Sequence, residues 1–255
     1  MSVWAGPVDG PALLARDADA VHHAASTLKL PLLVAVLSAT QTGRIDLDDE
    51  IEVHADFASA VPGATFASTP AYDNDAEPWA LLGGRASVGW LARRSVVRSS
   101  NLATNLLLEQ VGPSAVDEVW RRAGASRSSI RKGIEDGPAR EAGLTNDVTA
   151  RDLASVVGAL AAGRLLDPAH TAWATGVLGE VEHVDGLPAG LPRGTPVWHK
   201  PGWIEGSCHD VGLVTPPDGP PLVVAVLTTG PFDDEAGHRL VADVSRACWD
   251  HRPRS

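Results

Sequence analysis

Apolar residues follow two different periods, which divide the chain into strand-rich ends and a helical middle. Helical spacing predicts helices at residues 25–37, 88–94, 101–110, 113–123 and 149–162. Near the N-terminus, residues 3–8, an Asp9-Gly10 turn and residues 12–15 predict a β-hairpin. Residues 196–204, 209–215 and 222–229 have the composition of strands, and a last helix is predicted from Asp233 or Asp234.

This order of elements predicts an α+β fold, in which the two ends of the chain complete one antiparallel sheet around an inserted helical part. We expect residues 1–25 and 187–255 to form the sheet domain and residues 26–186 to form an all-helical domain. Together they would make one folded unit. Two polar stretches, at 53–78 and 128–148, are predicted to be loops between the helices.

Ser26 and Lys29 form an S-x-x-K motif at the start of a predicted helix. Residues three apart share one face of a helix, so the serine hydroxyl and the lysine amine can meet. A serine at a helix N-terminus also lies among free N–H groups, which favour a developing oxyanion. The alternative is a capping serine beside a solvated lysine.

Two further motifs follow along the chain. Ser99-Ser100-Asn101 is an S-x-N at a predicted helix start, where Ser99 is either a helix cap or a proton relay, and Asn101 a partner for a substrate amide. Lys200-Pro201-Gly202 lies on a predicted strand, where Gly202 allows close approach of a ligand and the N–H of Trp203 is a candidate oxyanion donor.

Lysine is scarce, which draws attention to the lysines that remain. Only three of the 21 Lys and Arg residues are lysines, at positions 29, 132 and 200. Arg cannot lose its proton near neutral pH, whereas a buried Lys can. Two of the three lysines therefore lie where proton transfer is the expected chemistry.

In this order the three motifs resemble the class A β-lactamases and the wider penicillin-recognising serine hydrolases, whose signature is S-x-x-K, S-D-N and K-T-G. The segments SVGWLARR (87–94) and SSNLATNLLL (99–108) are also similar to that family. The resemblance implies that Ser26 is the nucleophile and Lys29 belongs to its base network. It also implies that Ser99 and Lys200 carry a proton to the leaving group, and that the N–H groups of Ser26 and Trp203 bind the oxyanion.

The third motif departs from the family at its middle position. Pro201 has neither the usual hydroxyl nor an N–H with which to hold a β-lactam carboxylate. No guanidinium is evident on the neighbouring strand, which carries Cys208, His209 and Asp210 instead. Asp210 would repel a carboxylate if it faced the site. Trp203 is expected to form a wall of the pocket.

The loop at 128–148 departs from the family as well. If Lys132 and Asp147 pair to close the loop, the position of the family's deacylating Glu falls on Ile134. Glu135 and Glu141 are nearby but out of register. They are either substitutes for the missing carboxylate or solvated surface groups.

A third departure is the short N-terminus, which lacks the family's first helix. Both faces of the strand at 222–229 are apolar, so we expect one sheet face to lack cover. A homodimer that buries this face is the simplest solution, and the alternative is a monomer in which the last helix shifts to cover the gap.

Composition limits the partners and the compartment. A net charge of −11 argues against nucleic-acid and anionic-membrane binding, and no metal or cofactor motif is present. The first ten residues do not resemble a signal peptide, and two cysteines without metal-ligand spacing fit free thiols in a reducing cytoplasm.

The sequence leaves three functions open, all with a small acyl substrate as the partner. The first is a serine hydrolase of an ester or amide that forms an acyl-enzyme on Ser26. The second is a class A β-lactamase that uses Glu135 or Glu141. The third is an acyltransferase, or a protein that binds a β-lactam or acyl-peptide covalently and deacylates slowly.

Overall fold

The computed structural model describes residues 1–254 and shows a mixed fold of helices packed on both faces of an antiparallel sheet. The helices in this range are α1 (Lys29–Gln41), α2 (Ala76–Trp79), α3 (Val88–Val97), α4 (Asn101–Val111), α5 (Pro113–Ala123), α6 (Gly137–Glu141), α7 (Ala150–Ala161), α8 (Pro168–Gly179) and α9 (Asp234–Asp250). Three short 3₁₀ helices, at Ala25–Leu28, Pro70–Tyr72 and Leu187–Gly190, supplement them. The predicted α+β class is confirmed.

Five strands from the two ends of the chain form the main sheet. They are β1 (Ser2–Pro7), β2 (Leu14–Arg16), β9 (Val197–Ile204), β10 (Ser207–Val214) and β11 (Leu222–Thr229), in the order β2-β1-β11-β10-β9. All neighbours are antiparallel, and β1 pairs with β11 from Ser2↔Leu227 to Pro7↔Leu222. The N-terminal hairpin and the C-terminal strands thus close one sheet, with β9 at its edge.

Six short strands form three two-stranded pairs outside the main sheet. They are β3 (His22–His23) with β8 (Asp147–Val148), β4 (Glu50–Glu52) with β7 (Arg85–Ser87), and β5 (Asp56–Ala58) with β6 (Thr65–Ala67). The predicted loop at 53–78 therefore contains a hairpin and two short helical turns. Its strands are only three residues long, too short for a period-2 pattern to stand out.

Helix α1 runs through the middle of the larger apolar core. Every residue from Lys29 to Leu37 is buried, so the helix is apolar on all sides, as expected for a helix surrounded by others. Helix α7 packs against strands β1, β10 and β11 on the inner face of the sheet, with Thr149 capping its first turn. One continuous core therefore joins the helices to the sheet.

The outer face of the sheet is covered within one chain, contrary to the expectation of a bare face. A second apolar cluster forms there from sheet residues such as Val3, Val224 and Val226, together with Leu187 and Val241 of α9. From Leu222 to Thr228 every residue of β11 is buried. Helix α9 and the 3₁₀ turn at Leu187–Gly190 supply this cover. The argument for a homodimer is thereby lost, and the oligomeric state stays a prediction.

No helix among residues 1–254 is both long enough and apolar enough to cross a membrane.

Candidate functional site

The S-x-x-K motif folds with its two polar side chains in contact. Ser26 lies in the 3₁₀ turn Ala25–Leu28, and Lys29 is the first residue of α1. The Lys29 amine donates a hydrogen bond to Ser26 Oγ at 3.0 Å. Ser26 is half-buried while Lys29 is fully buried, so the hydroxyl is reachable and the amine is not.

The second motif supplies the remaining partners of the Lys29 amine. Its Nζ donates to the Ser99 carbonyl at 2.7 Å, to Ser99 Oγ at 3.1 Å and to Asn101 Oδ1 at 2.8 Å. The Lys29 pKa is held well below its usual value, first by burial and then by the charge of Lys200, while Asp73 acts in the opposite direction. A buried amine with a lowered pKa can accept the proton of a serine hydroxyl.

Ser99 lies between the two buried lysines of the site. Its hydroxyl is 3.1 Å from Lys29 Nζ and 3.3 Å from Lys200 Nζ. Its backbone has φ +60, a left-handed conformation that costs a non-glycine residue about 1–3 kcal/mol. In this conformation both the carbonyl and the hydroxyl of Ser99 contact the Lys29 amine.

Lys200 is a second buried amine at the same site. It donates to the Pro201 carbonyl at 3.0 Å, and burial lowers its pKa to about 7. Near neutral pH it can therefore both give and take a proton. Among the described residues, neither Lys200 nor Lys29 forms an ion pair with a carboxylate.

Gly202 brings strand β9 against the turn that carries Ser26. A Cβ added at Gly202 would lie 2.6 Å from the Ser26 nitrogen and 2.7 Å from the Thr27 nitrogen. Only a glycine leaves room for this approach. The motif glycine thus sets the distance between the edge strand and the nucleophile turn.

The Trp203 side chain does not form a wall of the site, contrary to the expectation from the sequence. Successive side chains of a strand point to opposite faces, and Gly202 is the residue that faces Ser26. The Trp203 ring packs edge-on against His183 and His238, at centroid distances of 4.8 and 5.5 Å, beside the outer apolar cluster. Its N–H as an oxyanion donor stays a prediction.

Asp210 does not face the site either. Its carboxylate accepts the His199 Nδ1–H at 2.9–3.0 Å and the Leu187 N–H at 2.8 Å, and all of these groups are buried under the outer 3₁₀ turn. The expected repulsion of a substrate carboxylate therefore does not arise from Asp210.

The loop at 128–148 is not closed by a Lys132–Asp147 ion pair, which corrects that expectation. The Lys132 amine reaches only the Gly133 carbonyl, at 3.4 Å. The loop ends are joined by backbone pairing of Ser129 with Asp147 and by the Asn146 side chain, which bonds the N–H of Arg131 and both backbone groups of Lys132. A planar amide, with donors and acceptors, matches three backbone partners better than one ammonium does.

Ile134 nevertheless holds a fixed place beside α4. Asn105 accepts the Ile134 N–H at 2.8 Å and donates to its carbonyl at 2.8 Å. Glu135 turns to Thr69, whose N–H and hydroxyl it accepts, and Glu141 is exposed at the end of α6. Position 134 therefore carries no carboxylate, and the carboxylate of the neighbouring Glu135 is bound to Thr69 in the 53–78 stretch.

Two residues near the second motif were missed by sequence reasoning. The Tyr72 carbonyl accepts the Asn101 side-chain amide at 2.5 Å, and the Asp73 carboxylate accepts the Asn101 N–H at 3.1 Å. Both lie in the stretch at 53–78, for which the sequence predicts only a polar loop. Contacts across nearly 30 positions leave no local pattern in one sequence.

The geometry defines a site of the class A β-lactamase type, with S-x-x-K, S-x-N and K-x-G motifs meeting at the edge of the sheet. A model of the Beta-lactamase enzyme family matches residues 1–252. The chain belongs to that family, which confirms the resemblance expected from the motifs.

Relatives and solved structures agree with this assignment. The chain is 31% identical over 166 residues to a beta-lactamase of Streptomyces lavendulae, covering 63% of this chain and 54% of that protein. It is 30% identical over 178 residues to one of Streptomyces albus G, covering 67% and 56%. The chain thus spans about half the length of these curated relatives.

Among solved structures, PBP-A aligns with TM-score 0.80 and 26% identity, covering 98% of this chain and 88% of that one. The beta-lactamase of Sphaerobacter thermophilus DSM 20745 also aligns at 0.80 and 26%, covering 99% and 92%.

Proposed function

We propose that this protein is a serine hydrolase that cleaves an ester or amide through a covalent acyl-enzyme on Ser26. The observation that carries the proposal is the Lys29 amine. It is fully buried, has a lowered pKa and lies 3.0 Å from Ser26 Oγ. A serine hydroxyl is a weak nucleophile unless a neighbouring base takes its proton.

The chemistry would run in two steps. Neutral Lys29 accepts the Ser26 proton as Oγ attacks the substrate carbonyl, and the N–H of Ser26 faces the developing oxyanion. Ser99 Oγ–H then gives its proton to the leaving group and is reprotonated from Lys29 or Lys200, which lie on either side of it. Once Lys29 has passed its proton on and is neutral again, it takes a proton from a water that attacks the acyl carbonyl and gives it to Ser26 Oγ as the ester bond breaks, which releases the acid and restores the starting state.

The surroundings of Ile134 favour slow deacylation of the acyl-enzyme. We infer that Ile134, whose backbone Asn105 holds beside α4, takes the position of the family's water-activating Glu, and the neighbouring Glu135 is held by Thr69. A PBP-A mutant has been solved as an acyl-enzyme complex with penicillin G, so a related fold accepts this β-lactam covalently. We therefore propose that β-lactams acylate Ser26 without efficient turnover. Conversion of a β-lactam by a class A mechanism remains the alternative that the curated relatives favour.

A kinetic comparison tests the proposal. A p-nitrophenyl ester and a chromogenic cephalosporin are offered to the wild type and to Ser26→Ala. We expect multiple turnovers of the ester and a stoichiometric burst with the cephalosporin, both absent in the variant. Multiple rapid turnovers of the cephalosporin would contradict the slow-deacylation proposal and support a β-lactamase.

A further inference from the structure

The second motif of this chain lacks the carboxylate found in the family signature S-D-N. Ser100 stands at the middle position, and its hydroxyl is the cap of α4, accepting the Ala103 N–H at 3.2 Å. A serine provides no negative charge at a helix N-terminus, where a carboxylate would be favourable.

A carboxylate from a distant segment reaches this place. One oxygen of Asp73, Oδ2, accepts the Ser100 hydroxyl at 3.2 Å, the Asn101 N–H at 3.1 Å and the Leu102 N–H at 2.8 Å. It also accepts the indole N–H of Trp79 at 2.9 Å. Four donors on a single oxygen of this half-buried residue fix the carboxylate against the first turn of α4.

One of the residues fixed in this way, Asn101, also holds Lys29, and Ser99 directly precedes the fixed turn. Three of the four acceptors of the Lys29 amine belong to Ser99 and Asn101, immediately before and inside the turn that Asp73 contacts. The residue preceding Asp73 adds a second hold, since the Tyr72 carbonyl accepts the Asn101 side-chain amide. This bond orients Asn101 so that its Oδ1 faces the amine.

We propose that Asp73 is a positioning residue that supplies from another loop the carboxylate that the second motif lacks. By fixing the first turn of α4 it holds Asn101, and through the backbone Ser99, against Lys29, and it adds a negative charge to this part of the site. The inference rests on the proposed function, because its kinetic test needs acylation of Ser26.

Because Asp73 is charged, its removal should change the pH dependence of acylation. The loss of a side chain with only a packing role would not do so. The groups facing Lys29 are Ser26, Ser99, Asn101, Lys200 and Asp73, of which Lys200 and Asp73 can carry charge. Lys200 lowers the Lys29 pKa and Asp73 raises it. Removing the carboxylate charge therefore lets Lys29 lose its proton at lower pH, which moves the acidic limb of the acylation rate to lower pH.

The test compares Asp73→Asn, the swap Asp73→Ser with Ser100→Asp, and Asn74→Ala as an exposed neighbouring control. Labelling of Ser26 by a fluorophosphonate, which mimics acylation by forming a phosphonate ester with loss of fluoride, is followed across pH, and thermal unfolding is recorded for each protein. We expect Asp73→Asn to slow acylation at least about tenfold at neutral pH, since a hydrogen-bonded charged group is lost. Its acidic limb should shift downward and its melting temperature should fall.

The swap should restore the rate, the pH limb and the melting temperature toward the wild type, while Asn74→Ala should leave all three unchanged. A wild type that takes no label on Ser26 would end the proposed function, and this inference with it. If the wild type labels, an equal rate in Asp73→Asn overturns the inference alone. The inference is also overturned if Asp73→Asn is slow but the acidic limb of its pH profile does not shift and the swap does not restore its rate.

Discussion

The Lys29 amine contacts Ser99 at two atoms, the backbone carbonyl oxygen at 2.7 Å and the hydroxyl oxygen at 3.1 Å. The carbonyl contact fixes the amine, and the hydroxyl contact joins it to the path by which a proton would reach a leaving group. Since Lys29 also reaches Ser26, one buried amine links the nucleophile turn to the second motif.

Lys29→Arg should abolish acylation although it keeps a positive charge. A guanidinium does not release its proton near neutral pH and cannot serve as the base. The expected loss is on the order of 10²–10⁴-fold in the acylation rate, measured by the rate of adduct formation. Lys132→Arg is the matched control, because that amine touches only the Gly133 carbonyl. A mild effect of Lys29→Arg would show that Lys29 is only a structural cation.

The pH profile of acylation should be bell-shaped. The rate rises with pH as Lys29 loses its proton and becomes a base. It falls as pH increases through about 7, because Lys200, whose pKa burial lowers to about 7, then loses the proton that it would pass to Ser99. Lys200→Arg keeps its charge throughout, so its alkaline limb should disappear even if its maximum rate is lower. An unchanged alkaline limb in that variant would rule out Lys200 as its origin.

Gly202→Ala should remove most of the acylation activity. The new methyl group would lie 2.6 Å from the Ser26 nitrogen, so either β9 or the nucleophile turn must move. A displaced oxyanion donor lowers the rate on the order of 10²-fold. Gly176→Ala, where an added Cβ meets nothing within 4 Å, is the control for a methyl group in open space. Wild-type acylation in Gly202→Ala would show that this close approach has no role.

Ile134→Glu should shorten the lifetime of a penicillin adduct. Asn105 holds the backbone of residue 134 in place, so the new carboxylate would occupy the family's deacylation position. Adduct decay followed by intact-protein mass spectrometry measures the effect, with Glu141→Gln as the exposed control. An unchanged lifetime in Ile134→Glu would argue against this alignment. A longer lifetime in Glu135→Gln would instead assign deacylation to Glu135.

Local pattern was enough to predict much of this protein. Helix α5 spans the predicted residues 113–123, and the Ser26–Lys29 contact follows from their spacing on one turn. The hairpin within the 53–78 stretch and the contact of Asp73 with α4 depend on tertiary packing, which no local period encodes. The predicted Lys132–Asp147 pair was wrong. The loop ends are joined by hydrogen bonds from the Asn146 side chain to backbone groups, and a sequence with opposite charges at both ends does not reveal such bonds.

The most direct test of the account is the mass and position of a covalent adduct. The wild type and Ser26→Ala are incubated with a fluorophosphonate and with penicillin, then measured intact and after digestion. The account predicts one adduct per chain with each probe, located on the peptide that contains Ser26 and absent from the variant. An adduct of the same mass that persists in Ser26→Ala, or a wild type that takes neither probe, would contradict it.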